Sequence, residues 1–259
     1  MREEAAQFMS LYPDVRVEVR GAETREAIVN MLNDSVHAIC TDRPLNDEER
    51  AVARQAGMRL TENRFAEDAL AVVVNAENPV RELSVVSIRR IVAREISEWS
   101  GVPEARWQGP IDLVLTGRNS GPPELLQRTF LSLPKPPEIT ARVATQRDAL
   151  DYVGTHPGAI TFVSMSQLAG APKNVRVLAV ESADTSQGQT FVLPTQMNVY
   201  QSLYRFHYSL YLITAESKAA VGTGFSTFVV VTVPGQKAVQ NAGLVPVNIP
   251  NRVIQLNPE

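Results

Sequence analysis

A continuous apolar run, Ala69–Asn75 (ALAVVVN), places the strongest constraint on the fold of this chain. A strand without polar alternation is buried on both faces, as happens when helices cover both sides of a sheet. Shorter apolar segments at Val36–Cys40 and Ile111–Leu115 also read as strands, and they alternate with helix-like segments such as residues 2–11. This alternation predicts an α/β fold with helical layers around mainly parallel strands.

Local patterns add detail to this expectation. Val15, Val17 and Val19 alternate with charged residues, which predicts a further strand. Asn46 precedes a run of acidic residues and is expected to be the N-cap of a helix. Cys40 ends an apolar strand, so we expect a buried small hydrophobe there rather than a nucleophile.

Composition excludes several classes of protein. The net charge of −3 and the lack of a basic stripe argue against indiscriminate nucleic-acid binding. One cysteine excludes an internal disulfide, and three widely spaced histidines give no metal-ligand spacing. The longest uncharged stretches contain many polar residues or several Gly and Pro, so neither predicts a membrane span. Motifs of hydrolases, nucleotide-binding loops and zinc proteases are missing, and we predict no cofactor and no metal.

Three strand-to-helix junctions are the most informative segments for function. In open α/β sheets, ligands bind beyond the carboxyl ends of strands, where helix N-termini present free N–H groups to anions. Each junction carries small residues together with a hydroxyl or a charge. Taken singly, each is explained by ordinary turn and capping chemistry, but their equivalent positions favour a shared ligand site. The junctions are Arg20–Glu26, Cys40–Glu49 and Thr116–Glu124.

The order of these segments resembles the substrate-binding proteins of phosphate ABC transporters. FMSLYPDVRVEVRGAETREAI is similar to the family's first helix, strand and ligand loop, and VHAICTDRPLNDEE to its second ligand segment. SIRRIVAREISEWSG, with Trp99, resembles a family helix and turn, and VLTGRNSG resembles its third loop. FSTFVVVTVPGQKAVQNAGLVPV is similar to the family's C-terminal landmark, so the resemblance covers most of the chain.

The resemblance implies the α/β fold of type II periplasmic binding proteins, with two domains joined by a hinge of two crossover strands. Domain I would comprise residues 1–76 and 195–259, and domain II residues 77–194. The crossovers would fall near Val72–Asn75 and Thr190–Tyr200. Such a protein would close on a small ligand in a cleft between its domains.

The resemblance also implies a set of ligand residues. Asp42 matches the family aspartate that accepts a hydrogen bond from protonated phosphate, and the adjacent Thr41 belongs to the same predicted set. The hydroxyl of Thr24 would donate to the anion. Ser120 and Gly121 match the third anion loop, and Arg118 is the expected charge partner.

Several positions depart from the family pattern. Arg118 stands two residues before Ser120 rather than four, and Pro122 replaces a threonine, which removes a hydroxyl and an N–H donor. Glu23 lies where an anion would approach, and a carboxylate repels an oxyanion unless it turns away or is protonated. The family's first strand and first anion loop would precede residue 1.

The leading hypothesis is an extracytoplasmic, periplasmic solute-binding protein without catalysis, whose leader is absent from this chain. It would capture a small anion, phosphate by family default, and deliver it to an ABC transporter permease as a monomer. The alternative is a divergent binding-fold protein that has lost phosphate binding and serves as a sensor or partner-interaction module. A third hypothesis is an enzyme on the same fold, but the sequence shows no catalytic dyad.

Overall fold

The computed structural model describes residues 1–117, 121–186, 188–215 and 220–248. The chain forms two compact units. Unit 1 comprises Met1–Ala22, Glu26–Ala66 and Ser209–Glu259, and unit 2 comprises Glu23–Arg25 and Glu67–Tyr208. The predicted domain limits at residues 76 and 195, and the predicted crossovers near Val72–Asn75 and Thr190–Tyr200, stay predictions.

The helices of both units are short, as is usual for an α/β protein. Two helices begin with a capping box, in which the N-cap side chain and the third helical residue bond to each other's backbone N–H: Asn46 with Glu49, and Thr145 with Asp148. The N-cap predicted at Asn46 is therefore confirmed. The helices are α1 (Arg2–Leu11), α2 (Thr24–Leu32), α3 (Asp47–Gln55), α4 (Val85–Val92), α5 (Gly121–Glu124), α6 (Gln146–Thr155), α7 (Gln196–Tyr200), α8 (Ala220–Val231) and α9 (Val233–Asn241).

Three further helical segments have other geometries. A π-helical segment, Leu125–Phe130, continues α5, and 3-10 turns occupy Trp99–Gly101 and Met165–Gly170. The strands are β1 (Ala38–Thr41), β2 (Leu60–Asn75), β3 (Glu82–Leu83), β4 (Asp112–Leu115), β5 (Ala141–Arg142), β6 (Ala159–Ser164), β7 (Val175–Val177), β8 (Ala179–Glu181), β9 (Phe191–Val192), β10 (His207–Ala215) and β11 (Val245–Pro246).

Unit 1 has helices on both faces of its strands. β1 pairs antiparallel with β10, β10 lies beside β2, and β11 also pairs with β2. Consecutive residues of a strand point to opposite faces, and Leu212 and Ile213 of β10 accordingly belong to different hydrophobic clusters. Leu212 packs with α1, α8 and α9, whereas Ile213 packs with α2. The unit is therefore a three-layer structure.

Unit 2 is built around β6, which pairs parallel with β4 and antiparallel with β2. β5 extends this sheet beside β4, β7 pairs with β2, and β3, β8 and β9 form a small second sheet. The apolar run of β2 is buried, and Ala71 and Val73 pack against β6 and α6. The predicted α/β fold and the double burial of this strand are confirmed.

The predicted predominance of parallel strands is wrong. β1–β10 and β2–β6 are antiparallel, and they stand beside the parallel pairs β4–β6 and β4–β5. Parallel pairing follows from helical crossover connections. β2 instead reaches the sheet of unit 2 as a direct continuation from unit 1, so its direction is not set by a crossover helix.

Two local expectations also change. Val15, Val17 and Val19 are half-buried and alternate with exposed residues, as predicted, but no strand is formed there in the described chain. Their side chains pack on the cluster of α1 and α8 without a backbone ladder. Cys40 is exposed, because the alternation of β1 buries Ile39 and Thr41 instead.

Candidate functional site

The loop after β1 begins with two of the predicted ligand residues. Thr41 is the last residue of β1 and is buried. Its hydroxyl donates a hydrogen bond of 2.7 Å to the carbonyl of Arg43, so that hydrogen closes the turn and does not reach a ligand in this conformation. Asp42 follows at the carboxyl end of the strand and is half-buried.

An ion pair holds this loop against the start of α3. Both terminal nitrogens of Arg43 lie 2.8 Å from the carboxylate oxygens of Glu49. The same carboxylate accepts the backbone N–H of Asn46, which in turn caps the helix. A two-point guanidinium–carboxylate pair fixes direction as well as distance. The ion pair therefore restrains the turn that carries Asp42.

A second carboxylate secures the loop from β2. Glu62 accepts the backbone N–H of Leu45 at 2.9 Å and the Nε of Arg50 at 2.9 Å. Glu62 of β2 therefore accepts one hydrogen bond from the loop, at Leu45, and another from α3, at Arg50, and it connects both segments to β2. The residues predicted for the site do not include Arg43, Glu49 or Glu62, although the Asn46–Glu49 spacing is a readable capping-box signal.

Thr24, another predicted ligand residue, is the first residue of α2 and is half-buried. α2 packs beside β1 through Ile28, which shares a hydrophobic cluster with Ile39 of β1 and Leu45 of the loop. The N–H groups of a first helical turn have no partners within the helix and suit an anion. Glu23, just before Thr24, is exposed.

The β4–α5 junction carries the other predicted residues. Arg118 and Ser120 lie outside the described residues. Gly121 begins α5 and is half-buried, and Thr116, one residue after β4, is buried. Pro122 and Pro123 follow within α5, so two positions of its first turn lack an N–H donor. Gly121 and Asp42 belong to different units.

A buried carboxylate that the sequence analysis missed lies in unit 2. Asp68 of β2 is 3% exposed. Burial raises the pKa of Asp68, against the opposing effect of hydrogen bonds from Ala69 N–H, from Ser166 and from the Tyr208 hydroxyl. No local pattern marks it, because Ser166 and Tyr208 come from distant parts of the chain.

The described residues contain neither a candidate metal-binding cluster nor a candidate membrane-spanning helix. No cluster of three or more His, Cys, Asp or Glu side chains is placed there to hold a metal ion. Every helix among those residues is too short or too polar to span a membrane.

Comparisons with known proteins agree with this architecture. Protein SphX of Synechococcus elongatus is 25% identical over 206 residues, which cover 77% of this chain and 59% of SphX. The chain therefore spans less than two thirds of that relative's length.

Two solved structures show the same fold over nearly the whole chain. One is assigned as a phosphate ABC transporter substrate-binding protein from Clostridium perfringens, with bound phosphate. Its TM-score is 0.78 at 23% identity, covering 95% of this chain and 94% of that one. The other, an ABC-type phosphate transport receptor from Vibrio cholerae, has a TM-score of 0.73 at 22% identity, covering 95% and 94%.

These likenesses confirm the predicted periplasmic-binding-protein fold. The profile of the PBP superfamily domain matches residues 1–232, which is most of the chain. The chain belongs to the PBP superfamily domain family.

Proposed function

We propose that this protein is an extracytoplasmic solute-binding protein that captures phosphate for ABC-type import. The observation that carries the proposal is the loop that holds Asp42 at the carboxyl end of β1, secured by Glu49 and Glu62. Carboxyl ends of strands and neighbouring helix N-termini are the usual ligand positions of α/β proteins. The described function of the C. perfringens and V. cholerae proteins supports the choice of phosphate.

Asp42 gives the proposed site its chemical selectivity. Phosphate near neutral pH retains at least one proton, which an ionised carboxylate can accept as a hydrogen bond. Sulfate has no proton to donate at that pH, so the same carboxylate repels it. A carboxylate in an anion site therefore discriminates between two oxyanions of nearly equal size.

The remaining predicted residues supply donors. Thr24 offers a hydroxyl at the N-terminus of α2, where the helix dipole also favours an anion. Gly121 offers a backbone N–H at the start of α5, and we propose that Arg118 and Ser120 add a guanidinium and a hydroxyl beside it. Thr41 shapes the turn through its bond to the Arg43 carbonyl.

The proposal includes the partners of such a protein. The phosphate-loaded protein would deliver its ligand to an ABC transporter permease on the outer side of a cytoplasmic membrane. It would act as a monomer and without catalysis. The solved relatives are described as a substrate-binding protein and a transport receptor, which supports a binding role rather than turnover.

Calorimetric titration tests the proposal on protein freed of bound ligand by partial unfolding and refolding. We expect phosphate to bind with a dissociation constant of about 1 μM or tighter, and sulfate at equal concentration not to compete. Asp42→Asn should lower the affinity for phosphate at least about tenfold. It should also allow sulfate to compete, because a neutral amide does not repel sulfate.

Asp47→Asn is the matched control, since it makes the same change of charge on a fully exposed side chain five residues away. Phosphate affinity in this variant should equal that of the wild type. Absence of heat and of a thermal shift with phosphate in the wild-type protein would contradict the proposal and favour a divergent sensor or interaction module.

A further inference from the structure

Besides the short stretch Glu23–Arg25, which is grouped with unit 2, the chain passes between its compact units at Ala66/Glu67 on β2 and at Tyr208/Ser209 on β10. Side chains within two residues of these two boundaries contact each other. The Nδ1 of His207 lies 3.3 Å from a carboxylate oxygen of Glu67, and both side chains are largely buried. One position further along β2, Asp68 takes a hydrogen bond from the hydroxyl of Tyr208.

The carboxylate of Asp68 collects donors from several segments. Its Oδ1 accepts the N–H of Ala69 at 2.7 Å and the N–H of Ser166 at 3.3 Å. Its Oδ2 accepts the hydroxyl of Ser166 at 2.8 Å. Asp68 therefore binds β2 to β10 and to the 3-10 turn after β6.

The network extends into the sheet of unit 2. The Tyr208 hydroxyl lies 3.0 Å from the hydroxyl of Ser164, the last residue of β6. The N–H of Ser164 donates to Oε1 of Gln146 in α6 at 2.6 Å. Because neighbouring residues of a strand point to opposite faces, Glu67–His207 and Asp68–Tyr208 link the two strands on both faces.

The contacts of Glu67 with His207 and of Asp68 with Tyr208 restrict how β2 and β10 can move against each other. A strand pair linked on one face can still twist about that link, whereas links on both faces oppose rotation and separation. The links lie next to the boundaries on β2 and β10, so they act on two strands that continue from one unit into the other. Hinge residues are a few positions that absorb a movement between domains.

We propose that Asp68 is a positioning residue, which holds the two crossing strands together and so limits the movement between the units that ligand capture requires. This inference rests on the proposed function for its effect on binding. Its effect on the free protein can be measured without any ligand. Asp68 itself does not touch the anion.

The ligand-free experiment measures distances between the units with spin labels. Cys40→Ser removes the single native thiol, and Gln55→Cys and Lys173→Cys place labels on exposed positions of unit 1 and unit 2. Pulsed dipolar spectroscopy then gives the distribution of label separations. Asp68→Asn and Tyr208→Phe should both broaden this distribution, because each removes part of the network while preserving the size of the side chain.

Matched controls separate this effect from a general loss of stability. Asp151→Asn makes the same chemical change on an exposed residue of α6, and Tyr200→Phe does so at the exposed end of α7. Both controls should reproduce the wild-type distribution. Superimposable distributions for wild type, Asp68→Asn and Tyr208→Phe would overturn the inference, even if both network variants melt at lower temperature.

Phosphate titration completes the test. Asp68→Asn and Tyr208→Phe should weaken phosphate about tenfold at a temperature where they are fully folded, while preference for phosphate over sulfate stays unchanged. If both variants bind phosphate with the affinity of the wild type, the proposed effect of Asp68 on ligand capture would be overturned. Failure of the wild-type protein to bind phosphate would contradict the proposed function, and the label distances would still decide whether Asp68 positions the strands.

Discussion

Arg43 and Glu49 form a two-point ion pair across the turn that follows β1, with both N–O distances at 2.8 Å. The side chains are 26% and 16% exposed, so water screens the pair only in part. Glu18 and Arg20 offer a matched comparison on this chain. They also meet through two N–O contacts, of 2.9 and 3.2 Å, but are mostly exposed. The two ion pairs thus have similar N–O distances, but the side chains of Glu18 and Arg20 are much more exposed to solvent than those of Arg43 and Glu49.

The first prediction uses this contrast in a double-mutant cycle. Arg43→Ala and Glu49→Gln, singly and together, should give a coupling free energy of about 1 kcal/mol in urea unfolding. The Glu18–Arg20 pair should give no measurable coupling, because exposed ion pairs are screened and lose side-chain entropy. Equal coupling in the two cycles would show that burial does not strengthen the Arg43–Glu49 pair.

The second prediction concerns the close contact between the end of α8 and the start of α9. A Cβ atom at Gly235 would overlap the carbonyl oxygen of Phe228 and lie 2.9 Å from Cα of Val229, both of which are backbone atoms. Gly235→Ala should therefore lower the free energy of unfolding by about 2 kcal/mol. At Gly21, a Cβ would meet nothing within 4 Å, so Gly21→Ala should change stability by less than about 0.5 kcal/mol. Thermal unfolding of the two variants measures the difference.

The third prediction concerns the indole of Trp99. This side chain is fully buried, and its Nε1–H donates to the carbonyl of Gly158 at 3.0 Å. Trp99→Phe removes this bond, which leaves the carbonyl with the Asp112 N–H at 3.2 Å, and it also removes packed atoms. Unfolding should therefore become easier by about 2 kcal/mol. Trp107→Phe is the control on a half-buried indole of the same unit and should have a much smaller effect. Comparable losses in urea unfolding would contradict the assigned role of the Trp99 bond.

The fourth prediction is a pH dependence with a definite sign. Burial raises the pKa of Asp68 above its unfolded value, so the folded state binds this proton more tightly than the unfolded chain. The contribution of Asp68 to stability is then fully present below the unfolded pKa, about 3.9, and declines as pH rises through the folded pKa. Stability of wild type relative to Asp68→Asn should fall with pH over that range.

Glu104 supplies the opposite case. Its burial opposes ionisation, but hydrogen bonds from Ser84 and Ser87 outweigh that effect and lower the pKa of Glu104. Its stabilising contribution is present above the unfolded pKa and is lost as pH falls through the folded value. Stability of wild type relative to Glu104→Gln should thus rise with pH. Urea midpoints between about pH 3 and pH 7 measure both trends, and slopes of the same sign would contradict the assignment.

Much of the local structure was readable from short patterns. The N-cap at Asn46 and the helix of residues 2–11 depend on neighbours in sequence, and both are found. The alternation of Val15, Val17 and Val19 also holds as a pattern of burial. Whether such an extended segment becomes a strand depends on a backbone partner, which its own residues do not specify.

The candidate site was predictable only in part. The junction that contains Asp42 could be found because a polar segment follows an apolar strand. Glu62 was not predictable, since it lies 17 residues from Leu45 and reaches the loop only when β2 is in place. The exposure of Cys40 likewise follows from which face of β1 meets α2, and a four-residue strand does not reveal this.

The sequence by itself determined the elements that short-range physics controls: helix caps, buried strands, and the exclusion of disulfide chemistry by a single cysteine. The tertiary structure decided the rest, namely the direction of β2 beside β6, the pinning of the Asp42 loop, and the network around Asp68. Ser166 stands 98 residues from Asp68, yet both bond within one buried cluster. Such contacts depend on chain topology, because a hydrogen bond specifies the distance between two atoms and leaves their separation along the chain free.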